Sequence, residues 1–433
     1  MKPPLKKDHG QQDLFRSRLD QIINMNHPLV KLSKLLDWER LAQALRPYYA
    51  EMGRPGIPLR LIMGLNLLKH TYALSDESVC ARWEENPYFQ YFCGEAFFHH
   101  GLPIERTSMS HFRERITADV LEKLLQESLS AAYQAGALSV RDLRKVAIDT
   151  TVQEKAIAHP TEHGLMLKAI MKLGEVAKAC GVKVRQSYKR VTKEASIMVG
   201  RSLHARQKKR ANKKLKFIRT RLKRLVRDVE RKARDKFEEV PQNLKNTLEK
   251  AKHIAKQKRG DPDYLYAWHA PEVECISKGK ARKPYEFGCK VSLATQLQAS
   301  KGGKHFILGA QALHGRPYDG HTLEKALDQL EEVIGRVPDR SYVDKGYKGH
   351  KCERTRVYMS GQKRGVTPKI KKEIKRRSVI EPIIGHAKND GHLGYHWLKG
   401  KKGDQLNALF SAVGFNLRQL LSYLDDQRYL LPA

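Results

Sequence analysis

The sequence lacks the features that would place the protein in a membrane or outside the cell. No apolar run approaches the roughly 20 residues that a helix needs to cross a bilayer. The first ten residues, MKPPLKKDHG, lead into no hydrophobic signal-peptide core. The six cysteines are scattered without a C-x-x-C pair, which argues against a disulfide framework or a zinc site. We therefore expect a cytoplasmic protein with reduced thiols and no membrane partner.

Acidic residues are scarce relative to basic ones. The 433 residues include 82 Lys and Arg against 47 Asp and Glu, which gives a formal net charge of +35. Residues 183–259 alone hold 28 Lys and Arg against 7 Asp and Glu. This excess is larger than solubility requires, so it predicts a polyanionic partner. An acidic membrane surface and nucleic acid both qualify, and the absence of an apolar span favours nucleic acid.

The first part of the chain has the periodicity of helices. Apolar residues at Leu61, Leu65, Leu68 and Tyr72 share one helix face. Further helices are predicted to begin at Ser75, to break at Pro87 and to begin again at Ser108 or Ser110. We interpret residues 1–138 as an all-α N-terminal domain for DNA binding and assembly. A helical packing or oligomerisation domain is the alternative.

A strand pattern replaces the helical one after this domain. Short β-branched runs bounded by Gly, Pro and Asp predict strands at 143–153, 285–296, 305–315 and 340–347. A helix is predicted at 319–337, and two more follow near the end of the chain. This order predicts an α/β domain with a mixed sheet over residues 139–425, followed by a tail at 426–433.

A basic segment at 160–262 interrupts the α/β domain. Its apolar residues recur at intervals of three and four, as on one side of a long helix that packs against a partner. Pro241 marks a break, and a second apolar series after it suggests a returning helix. We therefore predict an inserted basic helical hairpin. The first series consists of Leu215, Ile218, Leu222, Leu225 and Val229.

Three acidic residues are candidates for metal-dependent phosphodiester chemistry. Asp149 and Asp344 each follow a short apolar run and are expected at strand ends, and Glu381 is expected near the start of a helix. Such chemistry uses carboxylates on rigid elements, because two divalent ions must be held about 4 Å apart. Each acid has a structural alternative. The two aspartates suit turns, and Ser378 with Glu381 suits a helix capping box.

The motifs around these acids resemble those of bacterial insertion-sequence transposases of the DDE class, in the group named after insertion sequence five. The resemblance runs from RPGIPLRLIMGLNLLKHTYALSDESV through VAIDTTVQEKAIAHPTEHGLM and YEFGCKVSLAT to YVDKGYKGH and the last helix. The acids of that class fall on Asp149, Asp344 and Glu381. A related signature, Y-x2-R-x3-E-x6-K, is matched at Arg377 and Lys388 but has Ile374 at the tyrosine.

The resemblance implies a fold, a reaction and partners. The fold is a ribonuclease-H-like domain, and the reaction is DNA cleavage at the element's ends followed by strand transfer into target DNA. The three acids are implied to bind two Mg²⁺ or Mn²⁺ ions, and a homodimer is implied on paired inverted-repeat ends near the bacterial nucleoid. A catalytically inactive, transposase-derived DNA-binding protein is the alternative. The expected contacts to the DNA backbone are Arg377, Lys388, Lys345, Lys348, Lys278 and Lys280.

Other polar and aromatic residues are assigned structural roles. Trp397 suits stacking on an unpaired base, but core packing is the preferred interpretation. His386, His392 and His396 match no standard zinc spacing and are expected on the surface or in packing roles. Asp319 is expected to start a helix.

Overall fold

The computed structural model describes residues 17–49, 56–277 and 283–428. The chain divides into two compact units. The first unit comprises Met1–Lys155 together with Ile276–Ala433, and the second comprises Ala156–Cys275. No helix in the described ranges combines the length and the apolar character that crossing a membrane requires.

The N-terminal part of the first unit is helical, as predicted. The Ser75 hydroxyl accepts a hydrogen bond from the backbone N–H of Ser78 at 3.0 Å, and Asn86 caps the helix that begins at Pro87. Ser108 and Ser110 do not start a helix, because the helix there begins one residue before Ser108 and contains both. The helices are α1 (Leu19–Ile22), α2 (Pro28–Leu35), α3 (Trp38–Leu45), α4 (Leu59–Thr71), α5 (Asp76–Glu85), α6 (Pro87–Phe92), α7 (Thr107–Arg115) and α8 (Ala118–Gln134).

The second unit contains four helices. They are α9 (Glu162–Ala179), α10 (Lys189–His204), α11 (Lys208–Lys236) and α12 (Gln242–Lys256). The predicted hairpin corresponds to α11 and α12, so the hairpin interpretation is wrong in omitting α9 and α10. Ile218, Leu222 and Leu225 of α11 are fully buried in a core of the unit's own, because the apolar face of each helix needs the other helices to exclude water.

The described residues also form a mixed sheet, as predicted, with seven strands. The strands are β1 (Lys145–Lys155), β2 (Glu274–Ser277), β3 (Tyr285–Gln296), β4 (Ile307–Leu313), β5 (Arg340–Val343), β6 (Arg356–Met359) and β7 (Tyr395–His396). The strand order is β2-β3-β1-β5-β6, with β4 beside β3 and β7 beside β1. Strand β3 coincides with the predicted strand at 285–296, whereas the short strands β2, β6 and β7 were not predicted.

Four more helices lie in the part of the first unit that the structure describes, and one of them packs against both the N-terminal helices and the sheet. They are α13 (Leu323–Ile334), α14 (Pro368–Arg376), α15 (Ile380–Asn389) and α16 (Gly400–Arg428). Helix α16 packs against α4, α8 and β4, so the N-terminal helices and the sheet share one hydrophobic core. Burial along most of its length explains why α16 is apolar on several faces.

Candidate active site

Asp149 lies on β1 at the centre of the sheet, and Asp344 directly follows the adjoining strand β5. Strand β1 pairs in parallel with β5, with Ala147 opposite Tyr342. Asp149 lies two residues after Ala147, and Asp344 lies two residues after Tyr342. The side chains of both acids therefore point to the same face of the sheet, because side chains alternate with a period of two. Asp344 directly follows β5, as expected. The expectation that Asp149 ends its strand is wrong, because β1 continues to Lys155.

The environment of Asp149 favours its protonated form. Burial raises the pKa of its carboxyl group above the ordinary value, and the nearby charge of Asp344 raises it further. The backbone N–H of Thr150, which donates to Asp149 Oδ1 at 2.8 Å, and the guanidinium of Arg377 oppose this effect without cancelling it. A buried carboxyl group whose ionisation a nearby carboxylate opposes lies at a site that gains from a cation.

Arg377 connects Asp149 to Glu381. Its Nη1 lies 3.0 Å from Asp149 Oδ2, and its Nη2 lies 2.7 Å from Glu381 Oε1. The Arg377 side chain is 12% exposed whereas that of Glu381 is 61% exposed, so the glutamate lies at the open side of the site. The guanidinium thus brings carboxylates from a strand and from a helix to one point.

The capping-box alternative for Glu381 is wrong. Helix α15 begins at Ile380, and its N-cap residue, Val379, has no side-chain cap. The Ser378 hydroxyl instead donates to the carbonyl of Lys375 at 3.1 Å. The glutamate is therefore left to interact with Arg377, in the 3₁₀ turn Arg377–Val379 between α14 and α15.

Glu373 fixes the segment that carries Arg377. This buried carboxylate on α14 accepts hydrogen bonds from Lys145, Arg340 and Tyr342, at the starts of β1 and β5. Burial opposes its ionisation, but these donors hold the pKa of Glu373 below its usual range. These charge-assisted hydrogen bonds attach α14 to β1 and β5.

A small gap separates Asp344 from a fourth acid, Asp319. A β-carbon at Gly346 would lie 3.0 Å from Asp344 Oδ1 and 3.2 Å from Asp319 Oδ2. Asp344 also accepts a hydrogen bond from the Gly346 N–H at 2.8 Å, so the turn alternative is confirmed and is compatible with a place in the site. Glycine keeps the space between the carboxylates open.

Sequence reasoning missed the part that Asp319 has in the site. Asp319 does start a helix, the 3₁₀ turn Asp319–Thr322, as expected. Its Oδ1 accepts from the Thr150 hydroxyl at 2.9 Å and from Lys290 Nζ at 2.9 Å. Thr150 is the neighbour of Asp149, so Asp319 is tied directly to the central strand. No local signal in the sequence indicates this contact.

The residues present suit divalent ions. Asp149, Asp344 and Glu381 offer hard carboxylate oxygens, the donors that Mg²⁺ and Mn²⁺ prefer. The open space beside Gly346 and the raised pKa of Asp149 both indicate a place where positive charge is favourable. The guanidinium of Arg377 supplies part of this positive charge in the structure.

The predicted phosphate contacts lie in several places. Lys345 and Lys348 are exposed in the turn after Asp344, and Lys388 is half-buried on α15 two helical turns after Glu381. Lys278 and Lys280 lie outside the described residues.

Trp397 is not packed in the core. Its side chain is 68% exposed, so the packing interpretation is wrong. The ring stands perpendicular to that of Tyr395, at a centroid distance of 5.2 Å. An exposed aromatic pair of this kind is available for stacking.

Helix α11 of the second unit carries a row of cations on its solvent side. We call this row the cationic stripe. The intervals of four, three, seven and four residues keep its members on one face, opposite the buried face that contains Leu222. All members are exposed, and none has a carboxylate partner among the described residues. The cationic stripe consists of Lys209, Lys213, Lys216, Lys223 and Arg227.

Comparison with known proteins identifies the class of the chain. The sequence pattern of a family described as "Transposase domain (DUF772)" matches residues 17–115. The chain is 47% identical over 204 residues to a Rhizobium meliloti protein named "Uncharacterized protein ORF8 in nfe locus". This match covers 47% of the chain and 99% of the Rhizobium protein. The chain therefore belongs to this transposase family. No solved structure matches it.

Proposed function

We propose that the protein is a DDE-type transposase that cleaves DNA at the ends of an insertion sequence and joins them to target DNA. The observation that carries the proposal is the arrangement of three acids from separate elements: Arg377 joins the carboxylates of Asp149 and Glu381, and the charge of Asp344 acts on Asp149. The membership of the chain in a transposase family supports the same reaction class.

The sheet supports assignment to a ribonuclease-H-like fold of the insertion-sequence-five group. Strand β1 lies between antiparallel β3 and parallel β5, with the first acid on β1 and the second directly after β5. The second unit is inserted after β1, away from the two later acids in sequence. A long insertion at this point leaves the pairing of β1 with β5 intact.

Each side chain has a distinct role in the proposed reaction. The carboxylates of Asp149, Asp344 and Glu381 would hold two Mg²⁺ or Mn²⁺ ions, which stabilise the attacking and leaving oxygens of an in-line displacement at phosphorus. Arg377 keeps two of these carboxylates together, and its planar donor pair suits a phosphate oxygen. Asp319 positions Thr150 and thereby the backbone beside Asp149.

DNA is the proposed partner of both units. Lys345 and Lys348, exposed next to Asp344, and Lys388 on α15 are the proposed contacts to the DNA backbone near the scissile phosphate. The cationic stripe offers a second set of backbone contacts. It extends over roughly 27 Å, because an α-helix rises about 1.5 Å per residue. Phosphate contacts of this kind give affinity without sequence preference.

The test is cleavage of DNA that carries the inverted-repeat ends of the element. With Mg²⁺ or Mn²⁺, the protein is expected to nick this DNA and to form strand-transfer products with a target plasmid. Asp344→Asn should abolish nicking while DNA binding survives. Asp328→Asn, which alters an exposed carboxylate paired with Arg354, is the matched control and should nick normally.

Three other outcomes would each reject the proposal. Nicking that persists at full rate in Asp149→Asn, Asp344→Asn and Glu381→Gln would place the chemistry elsewhere. Cleavage without strand transfer would identify a nuclease. Binding without cleavage in the unaltered protein would indicate the inactive, DNA-binding relative.

A further inference from the structure

A second group of potential metal ligands is buried in the first unit, apart from the carboxylates described above. Cys289 lies on β3, His314 directly follows β4, and Asp404 lies in the first turns of α16. One ligand atom from each residue lies within 4.8 Å of the other two. Cys289 and Asp404 are almost fully buried. The sequence argued against a zinc site because its six cysteines are scattered without a C-x-x-C pair.

The orientation of Asp404 is suited to metal coordination. Its Oδ1 lies 2.7 Å from Lys155 Nζ and 3.2 Å from His396 Nε2. Its Oδ2 lies 3.5 Å from His314 Nε2, close to the separation of two ligands in a tetrahedral site with bonds of about 2.0–2.2 Å. One oxygen is thus held by basic groups, and the other faces His314.

The residues around the ligands resemble the outer support of a metal site. Gln153 donates from its Nε2 to Cys289 Sγ at 3.1 Å, so the sulfur acts as an acceptor. His396 is 2% exposed, and within the described residues neither of its ring nitrogens forms a hydrogen bond with acceptable geometry. Buried polar nitrogens are seldom left in this state. Hydrogen bonds to the ligands of a metal orient them and tune its affinity.

We propose that Cys289, His314 and Asp404 bind one divalent transition-metal ion, with Zn²⁺ as the preferred occupant. A thiolate, an imidazole and a carboxylate are the donor set that zinc accepts, whereas a sulfur ligand disfavours Mg²⁺. Lys155 positions Asp404 through its other oxygen, beside which the ring of His396 lies. The ion joins β3, the end of β4 and α16, and it therefore stabilises the fold rather than taking part in the cleavage reaction.

The proposal is independent of the proposed function, because it concerns residues that do not contact Asp149, Asp344 or Glu381. The competing interpretation is a buried ion pair between Lys155 and Asp404, with His314 and His396 packed beside it. The two interpretations differ in metal content.

The experiment measures metal in the full chain, purified without a histidine tag. Elemental analysis is expected to find one zinc ion per chain after dialysis. Replacing zinc by Co²⁺ should produce a near-ultraviolet thiolate-to-cobalt charge-transfer band, which a site made only of carboxylates does not give. Lys155→Met should weaken zinc binding by about 10–100-fold, the usual effect of removing such an outer contact.

Variants locate the metal. Cys289→Ser and His314→Gln should each remove the cobalt band, whereas Cys180→Ser, at a half-buried thiol of the second unit, should keep it. The His314 side chain is 16% exposed, so its variant is expected to fold even if the Cys289 variant does not. A chain that neither retains zinc nor takes up cobalt overturns the proposal. A band that persists in His314→Gln overturns it as well.

Discussion

Lys216 and Lys223 of the cationic stripe provide a quantitative test of DNA binding by the second unit. Both lysines are exposed and lack a carboxylate partner among the described residues. Replacing both by glutamine removes two charges and leaves the buried face of α11 unchanged, so the fold should be retained. The expected result is weaker and less salt-dependent binding to duplex DNA.

The size of the effect follows from counterion release. Each cation that neutralises a phosphate contributes about 0.9 to the slope of log affinity against log salt, so the double variant should lower the slope by about 1.8. At ~0.15 M salt, two such contacts correspond to a loss of about 30-fold in affinity. Fluorescence anisotropy with a labelled duplex at several salt concentrations measures both quantities.

The control removes two positive charges from the same helix at residues that already pair with carboxylates. Arg231 lies 3.3 Å from Asp228, and Arg234 lies 2.7 Å from Glu230, so each of these cations already has a carboxylate partner within the protein. Arg231→Gln with Arg234→Gln should therefore change the slope by less than about 0.9 in total. If the two double variants had equal slopes, DNA binding would depend on net charge alone, and the cationic stripe would not be a binding surface.

Two further predictions concern the candidate active site. Burial and Asp344 raise the pKa of Asp149 in the folded protein. Ionisation of this carboxyl group therefore lowers the free energy of unfolding at pH values above its raised pKa. The loss is absent below the ordinary pKa near 3.8. Asp149→Asn should thus raise the midpoint of thermal unfolding at neutral pH, a gain that should disappear in acid. A gain that persists in acid would contradict the assigned cause. Gly346→Ala places a methyl group 3.0 Å from Asp344 Oδ1 without a strained backbone, so nicking should fall by about 100-fold with little change in stability. The control is Gly200→Ala, because a β-carbon added there would meet no neighbouring atom within 4 Å. Equal nicking by both variants would mean that the space beside Gly346 is unimportant.

Local patterns in the sequence predicted most of the regular structure. The three-residue and four-residue intervals of α11 and the short β-branched run at 285–296 are visible without any knowledge of the fold, since each belongs to a single element. The errors have tertiary causes. Asp149 was expected at the end of its strand because it follows a short apolar run, whereas β1 continues to Lys155 and Arg377 pairs with the partly buried carboxylate.

The candidate site was predicted only in part. The acids Asp149, Asp344 and Glu381 were selected by position and by resemblance. The bridging contact of Arg377 and the inclusion of Asp319 depend on how α14 and the 3₁₀ turn at 319–322 pack beside the sheet. Such contacts join residues far apart in sequence, and no periodicity encodes them.

The sequence by itself determined the helical and strand periods, the basic excess and hence the expectation of a polyanionic partner, because composition and spacing act locally. Only the tertiary structure decided which acids meet, which cations stay unpaired and which buried thiol, imidazole and carboxylate face one another. The physical reason is that a strand register or a helix packing is settled by the burial of a whole core. The positions of a few polar side chains follow from that core.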